Sequence, residues 1–283
     1  RNSMIGIIAG AAAGLLTAEF VRENCCMLAV RQDTIDQPAY TGHPLKLALV
    51  SDTHIINRRR QGRCQRLLRA VRAAKPDLIL VPGDLVSRTC TDFSLVQQLL
   101  TGLCAIAPVY YAPGNHELDM TEPMRQKLYR TMEATGTVLL CNRTVQLEGL
   151  ALCGVTLKYS MFRNQNRGFS GLSKYTLEDM EQAVGVHRGM TLLLAHSPLA
   201  LDTYAAWGAE LVVSGHVHGG MIRLPVVGGL LSPERKLFPA YSRGHYRQGH
   251  TDLIVTGGIA KPRLFNPPEL RIITLQGKDD SSL

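Results

Sequence analysis

Short apolar runs recur along the chain, and most close on a polar or glycine-bearing turn. The first, Leu45-Lys46-Leu47-Ala48-Leu49-Val50, ends at Ser51-Asp52. Between residues 62 and 74, Leu67, Leu68, Val71 and Ala74 recur at helical spacing with arginines on the other face, and Pro76 ends the helix. Asp77 to Val81 reads as a second strand closed by Pro82-Gly83. Residues 94–104 repeat the helical pattern through Leu95, Leu99, Leu100 and Leu103. Val109 to Ala112 is a third strand, closed by Pro113-Gly114. This strand–helix alternation predicts an α/β chain with a parallel or mixed sheet covered by helices.

The pattern changes after a helical stretch near 122–135. Val138-Leu140, Thr144-Leu147 and Leu150-Leu157 are short strands with little helix between them, which predicts a second sheet packed on the first. Residues 191–195, 211–213, 253–256 and 270–275 return to buried strands. Two long loops stand out, Lys158 to Tyr175, polar with Arg163, Arg167 and Lys174, and Gly219 to His250, rich in Gly, Pro and Arg; long loops in compact domains are often functional.

The N-terminal end is different. Met4 to Ala18 reads MIGIIAGAAAGLLTA without a charge, and position 1 is an arginine. A spanning helix needs ~20 apolar residues. The segment is therefore expected to be a truncated signal-anchor or a signal h-region that attaches the protein to a membrane, with the side of the membrane unreadable. Residues 19–44, with Pro38, Gly42 and Pro44, read as a connector. The expected organisation is an anchor and connector over 1–40 and a globular domain over 41–283.

Composition narrows the partners. Of the 283 residues, 45% are apolar, enough for a large core, and 19% are charged, below the ~25% usual in soluble chains. The net charge of +8 suits an anionic partner such as a phosphate ester or a lipid surface. Aromatics make up 6% without interleaving among basic residues, so nucleic acid is not expected as a partner. Seven cysteines include no C-x-x-C pair, which argues against a thiolate zinc site. Cys104, Cys141 and Cys153 lie in or beside apolar runs and are expected as buried small hydrophobes.

Five polar motifs each follow an apolar run: Asp52-Thr53-His54, Gly83-Asp84, Gly114-Asn115-His116-Glu117, Ala195-His196-Ser197 and Gly215-His216-Val217-His218. Strand ends are where α/β sheets build ligand sites. Singly, each histidine reads more simply as a hydrogen-bonded structural residue. Together, Asp, Asn and His form an oxygen and nitrogen donor set suited to Mn, Fe, Zn or similar ions. Two carboxylates, Asp52 and Asp84, against two dications leave net positive charge for a phosphate. Ser197 has no triad context and reads as a turn residue before Pro198.

The ordered pattern D-x-H, G-D, G-N-H-E, H and G-H-x-H resembles the calcineurin-like metallophosphoesterases from Leu45 to about residue 275. The G-H-x-H-G-G ending and the hydrophobic N-terminus resemble its membrane-associated bacterial branch, which includes UDP-diacylglucosamine hydrolases. The resemblance implies a four-layer αββα sandwich, two mixed sheets flanked by helices. It also implies two divalent ions: one on Asp52, His54 and His218, the other on Asn115, His196 and His216, with Asp84 bridging. His116 would be the catalytic histidine that binds no metal, and Glu117 has no assigned role. The implied reaction is hydrolysis of phosphate mono- or diesters by metal-activated water. A nucleotide phosphodiesterase or nuclease, and a non-catalytic metal-binding module, are the alternatives. The anchor and the apolar residues Met221, Ile222, Leu230 and Leu231 favour a lipid-linked phosphodiester or pyrophosphate. Arg223, Arg235 and Arg243 are expected to face its headgroup.

Overall fold

Along the strand Leu45–Leu49, Leu47 and Leu49 pack to one side while Ala48, with the following Val50, packs to the other. That alternation follows from the two-residue repeat of a strand. Because both sides are covered, such strands read as nearly continuous apolar runs rather than alternating ones. The computed structural model describes residues 2–56, 58–158, 162, 175–187, 189–220, 222–224, 228–230, 238–260 and 262–277.

In chain order the elements are α1 (Asn2–Val21), β1 (Ala29–Asp36), β2 (Leu45–Leu49), α2 (Gln61–Ala74), β3 (Leu78–Pro82), α3 (Ser94–Cys104), β4 (Val109–Ala112), α4 (Asn115–Leu118), α5 (Glu122–Glu133) and β5 (Val138–Leu139). There follow β6 (Arg143–Leu147), β7 (Leu150–Val155), α6 (Leu177–Val184), β8 (Thr191–Ala195), α7 (Leu201–Trp207) and β9 (Leu211–Ser214). The chain continues through a small hairpin, β10 (Arg223–Leu224) and β11 (Gly228–Gly229), to β12 (Gly244–Gln248), β13 (Thr251–Val255) and β14 (Glu269–Gln276).

Two mixed sheets result. The first runs β1-β14-β2-β3-β4-β5, and the second β12-β13-β9-β8-β7-β6. In the first, β2, β3, β4 and β5 are parallel and β14 returns antiparallel to β2. In the second, β7, β8, β9 and β13 are parallel, with β6 and β12 antiparallel at the edges.

Three apolar layers hold this together. Leu47, Leu49 and Leu80 of one sheet meet Leu192, Leu194 and Val213 of the other in the central layer. On the outer face of the first sheet, Ala48, Ile79 and Val81 pack against Leu67 and Val71 of α2 and Leu99 and Leu103 of α3. On the outer face of the second, Leu193, Val212 and Leu253 pack against Met180 of α6 and Tyr204 and Trp207 of α7. Helix, sheet, sheet and helix form the four-layer sandwich expected. Cys153 is buried and Cys104 half-buried, but Cys141, just past β5, is exposed, contrary to its reading as a core residue.

Two N-terminal expectations change. Part of the stretch read as a connector is β1, whose eight residues pair in parallel with β14 from Ala29–Glu269 to Asp36–Gln276. The first sheet thus includes residues that precede the expected domain start at 41. The membrane anchor is also overturned: among the described residues no helix is long and apolar enough to cross a membrane. Met4–Ala18 forms most of α1, yet Gly6, Gly10 and Gly14 dilute its apolarity and an exposed Glu19–Arg22 ion pair marks its end. The uncharged stretch falls short of the ~20 apolar residues a span requires.

The side chains of α1 stand largely outside the core, with Ile7 and Leu15 71% and 73% exposed. A chain beginning at Glu19 should therefore keep its thermal midpoint within about 2 °C of the full chain. A chain beginning at residue 41 loses the β1 ladder and should melt at least about 4 °C lower. Circular dichroism melts of the three proteins check this; equal midpoints for all three would contradict the structural role of β1.

Candidate metal centre

The motif residues sit just beyond the ends of β2, β3 and β4, which run parallel in the first sheet, and of β8 and β9, which run parallel in the second. Asp52, His54, Asp84, Asn115, His116, His196, His216 and His218 are all buried there together. Five of them adopt left-handed backbone: Asp52 (φ 55°), His54 (41°), Asp84 (50°), His216 (71°) and His218 (54°). Non-glycine residues in that region cost of order 1–3 kcal/mol each, and such strain collects at functional sites. Two glycines let the loops close on one another. A Cβ on Gly114 would overlap Asp84 Oδ1, and one on Gly215 would overlap Ser51 Oγ and Asp52 Oδ2.

The donor atoms form two overlapping clusters. In one, His54 Nε2 lies 3.3 Å from His218 Nε2, and both lie 3.8 Å from Asp52 Oδ1. In the other, His196 Nε2 lies 3.1 Å from Asn115 Oδ1 and 3.4 Å from Asp84 Oδ2. The same Asp84 Oδ2 is 3.6 Å from His54 Nε2, so this carboxylate belongs to both clusters. Donors around an ion at ~2.1 Å stand roughly 3–3.5 Å apart, so these spacings suit metal coordination. The His216 ring lies beside that of His196 at 5.0 Å between centroids, while its backbone N–H donates to the Asp52 carboxylate at 3.1 Å.

Electrostatics point the same way. Burial alone would raise the Asp84 carboxyl, but the rings of His196, His54 and His116 outweigh it and hold it well below its ordinary range. Burial, with the Asp84 charge nearby, pushes Asp52 up to about 6. His196 is drawn up to about 10 by Asp84 even though burial opposes its charge. The carboxylates therefore draw positive charge into the cluster, and the donor set is oxygen and imidazole nitrogen throughout. Both features fit divalent cations. The Nδ1–H of His196 donates to the Pro82 carbonyl at 2.8 Å, which leaves its Nε2 lone pair aimed at the cluster.

His116 is arranged differently. Its Nδ1 accepts the backbone N–H of Arg88 at 3.2 Å, which puts the proton of the neutral ring on Nε2. Its Nε2 lies 3.9 Å from Asp84 Oδ2, and with His54 and Asp84 it makes a further close group of donor atoms.

Sequence reasoning gave Glu117 no role, and the structure supplies one. Its buried carboxylate accepts the backbone N–H groups of Asp84 (3.0 Å), Val86 (3.0 Å) and Gly114 (2.9 Å), latching the second motif to the third. Burial and the Asp84 charge push it up to about 7. Two further residues escaped notice because they lie outside any strand-end motif. Asn266 Nδ2 donates to the carbonyls of His218 (2.8 Å) and Gly220 (2.6 Å), fixing the G-H-x-H-G-G turn. Buried Arg263 donates to the carbonyls of Gly257 and Ala260 behind Asp52. Phe162 closes the other side, its ring 5.2 Å from that of His216.

The long loops answer some expectations only. Arg163, Arg167, Lys174, Met221, Leu231 and Arg235 lie outside the described residues. Arg223 donates to the Gly219 carbonyl, and Arg243 to Asn266 Oδ1 with Glu269 at 3.5 Å. These two arginines brace the loop, a correction to their reading as headgroup contacts. Ser197 accepts the Leu199 N–H and caps a short turn, as expected.

The family model for calcineurin-like phosphoesterases matches residues 45–220. The chain belongs to this family. It is 30% identical over 236 residues to F40B5.2 of Caenorhabditis elegans, described as a metallophosphoesterase, covering 79% of this chain and 45% of that protein. It is 25% identical over 208 residues to phosphodiesterase YaeI of Escherichia coli, covering 71% of each. The chain spans about half the length of the first of these. The protein TT1561 of Thermus thermophilus shares the fold, with a TM-score of 0.50 and 11% identity over 77% of this chain and 91% of that one. Animal and bacterial proteins match alike, so the family is established while the membrane-associated bacterial branch is not singled out.

Replacing Glu117 by Gln leaves one acceptor oxygen for three N–H donors and sets an amide against at least one of them. Glu117→Gln should destabilise the phosphoesterase by about 1–3 kcal/mol in urea unfolding and weaken its metal retention. Wild-type stability with wild-type metal content would contradict the latch.

Proposed function

We propose that this phosphoesterase hydrolyses phosphate mono- or diesters at a dinuclear centre, with Asp52, His54 and His218 holding one ion, Asn115, His196 and His216 holding the other, and Asp84 shared. The observation that carries the reading is Asp84 Oδ2, 3.6 Å from His54 Nε2 and 3.4 Å from His196 Nε2. A carboxylate placed between two donor clusters can bind on both sides. When bound, two divalent ions supply a water of lowered pKa and a clamp for phosphoryl oxygens. The chain supplies the rest. His116 offers Nε2–H toward the cluster and can protonate the departing oxygen. The Arg88 amide, by donating to Nδ1, holds that tautomer, and the Arg88 side chain is paired to Asp119. Phe162 helps exclude water from the His196–His216 side. The catalytic unit is proposed as residues 41–283 together with the β1 strand that completes its sheet.

Hydrolysis of a soluble phosphodiester with Mn²⁺, before and after chelation, tests the class: loss on chelation and recovery on adding Mn²⁺ is the expected result. Asp84→Asn should lose at least one ion by elemental analysis together with its activity. His116→Ala should keep its ions and slow turnover by ~10²–10⁴-fold, most for poor leaving groups. Full activity of Asp84→Asn with unchanged metal content would refute the shared ligand.

A lipid-linked phosphodiester or pyrophosphate, the kind of substrate taken by UDP-diacylglucosamine hydrolases, is a narrower reading. It no longer has an anchor to support it. What favours it is apolar surface next to the G-H-x-H-G-G turn: Leu224, Phe238 and Phe265 are 38%, 61% and 44% exposed. Ile222 pairs with Leu264, and Phe238 N–H donates to Leu230, so these residues share one rim. Each acyl CH₂ buried there would contribute ~0.8 kcal/mol. Acylated substrates should then exceed their deacylated headgroups in kcat/KM. Equal values would remove the lipid reading and leave a general phosphoesterase.

A further inference from the structure

A cavity of about 590 Å³ opens at the N-terminal end of α2, lined by Arg60, Arg63 and Arg66 together with Asn24, Cys25 and Ile56. Arg60, in the turn that precedes α2, and Arg63 and Arg66 in the first turns of the helix stand three residues apart and line the cavity together. Arg66 folds back toward the first turn, its Nη1 3.9 Å from where a Cβ on Gly62 would stand. Its Nε is buried without a hydrogen-bond partner. Arg63 donates to the carbonyls of Ile259 and Asn24, which are neutral acceptors. No carboxylate lines the cavity among the described residues. Burial, reinforced by the charges of Arg60 and Arg66, lowers the Arg63 guanidinium from its ordinary value, and burial lowers Arg60. Three like charges brought together without a counter-charge repel one another, and a bound anion would relieve that repulsion.

The cavity is one step from the metal ligands. Ile56 lies two residues past His54, and the Ile259 carbonyl held by Arg63 belongs to a segment bonded to the Asp52 loop. There Ile259 N–H donates to Ser51 and Ala260 N–H to Asp52, at 3.2 and 2.8 Å. Guanidinium groups match phosphate oxygens in geometry as well as charge.

We propose that this arginine cavity binds a phosphate group, and that in turnover the group is the second phosphate of a pyrophosphate-type substrate whose scissile phosphate sits at the metal centre. The anion site stands on the cavity alone; its link to substrate rests on the phosphoesterase reading above. Two arms separate a substrate phosphate from a free anion. In the first, inorganic pyrophosphate is titrated by calorimetry into the full chain stripped of ions by chelation. Wild type should bind, and Arg60→Ala/Arg66→Ala should bind at least about tenfold more weakly. No binding by wild type, or equal affinity in the arginine variant, would overturn the site. Arg66→Gln, which keeps the stem and removes the charge, should show an intermediate loss and guards against misfolding of the double variant. In the second arm, the manganese-loaded enzyme is given a pyrophosphate diester and bis(p-nitrophenyl) phosphate. The double variant should lower kcat/KM for the first at least about tenfold more than for the second, through KM. An unchanged ratio alongside lost pyrophosphate binding would overturn the substrate role and leave a site for free anion. A wild type that hydrolyses neither compound would contradict the phosphoesterase reading, while the titration still decides the cavity.

Discussion

The Asp84 carboxylate is the point on which the molecule turns. It is buried where the two sheets meet, with His54 on one side and His196 on the other. An isolated carboxylate in that position would be costly, because burial strips its hydration. Its surroundings are built to hold it charged: imidazoles face its oxygens, the His116 backbone N–H donates to Oδ1 at 2.9 Å, and Glu117 grips the Asp84 amide behind it. Much of the rest follows from that need. The left-handed turns at Asp52, His54, Asp84, His216 and His218 bring donors from three of the five strand-end loops to one point. Rigid strands buried on both faces keep those loops from drifting, and preorganisation of this kind is what a metal site needs.

Legibility in the sequence followed how local each signal was. β2, β3, β4, β8 and β9 are short apolar runs closed by polar turns, so the strands and the candidate ligand residues that follow them are legible directly. α2 and α3 were visible because one face of each is apolar at helical spacing. β1 was not, since it is an edge strand whose side chains are largely exposed, so AVRQDTID lacks an apolar signature. β12 is hidden for the same reason, with GHYRQ half-exposed throughout. The uncharged Met4–Ala18 stretch of α1 has the composition of a membrane segment, but its glycines and its length fall short of a span.

The candidate site shows the same division. Residues that would touch an ion lie in recognisable strand-end motifs. Residues that hold those motifs in shape do not, because their work is done by contacts distant in sequence. Asn266 reaches back to His218 and Gly220, and Arg263 to the segment behind Asp52. Glu117 lay inside a motif, yet its three backbone donors come from two different loops, which no spacing rule reveals. The arginines of α2 looked like an ordinary solvated helix face. Only the fold shows that two of them share a cavity with Arg60 and with Ile56, two residues past His54.

Electron paramagnetic resonance of the manganese-loaded full chain tests the shared carboxylate most directly. Two ions joined through Asp84 should couple magnetically and give an exchange-coupled spectrum at saturating manganese. A spectrum of isolated, uncoupled manganese at full loading would show that Asp84 does not bridge two ions.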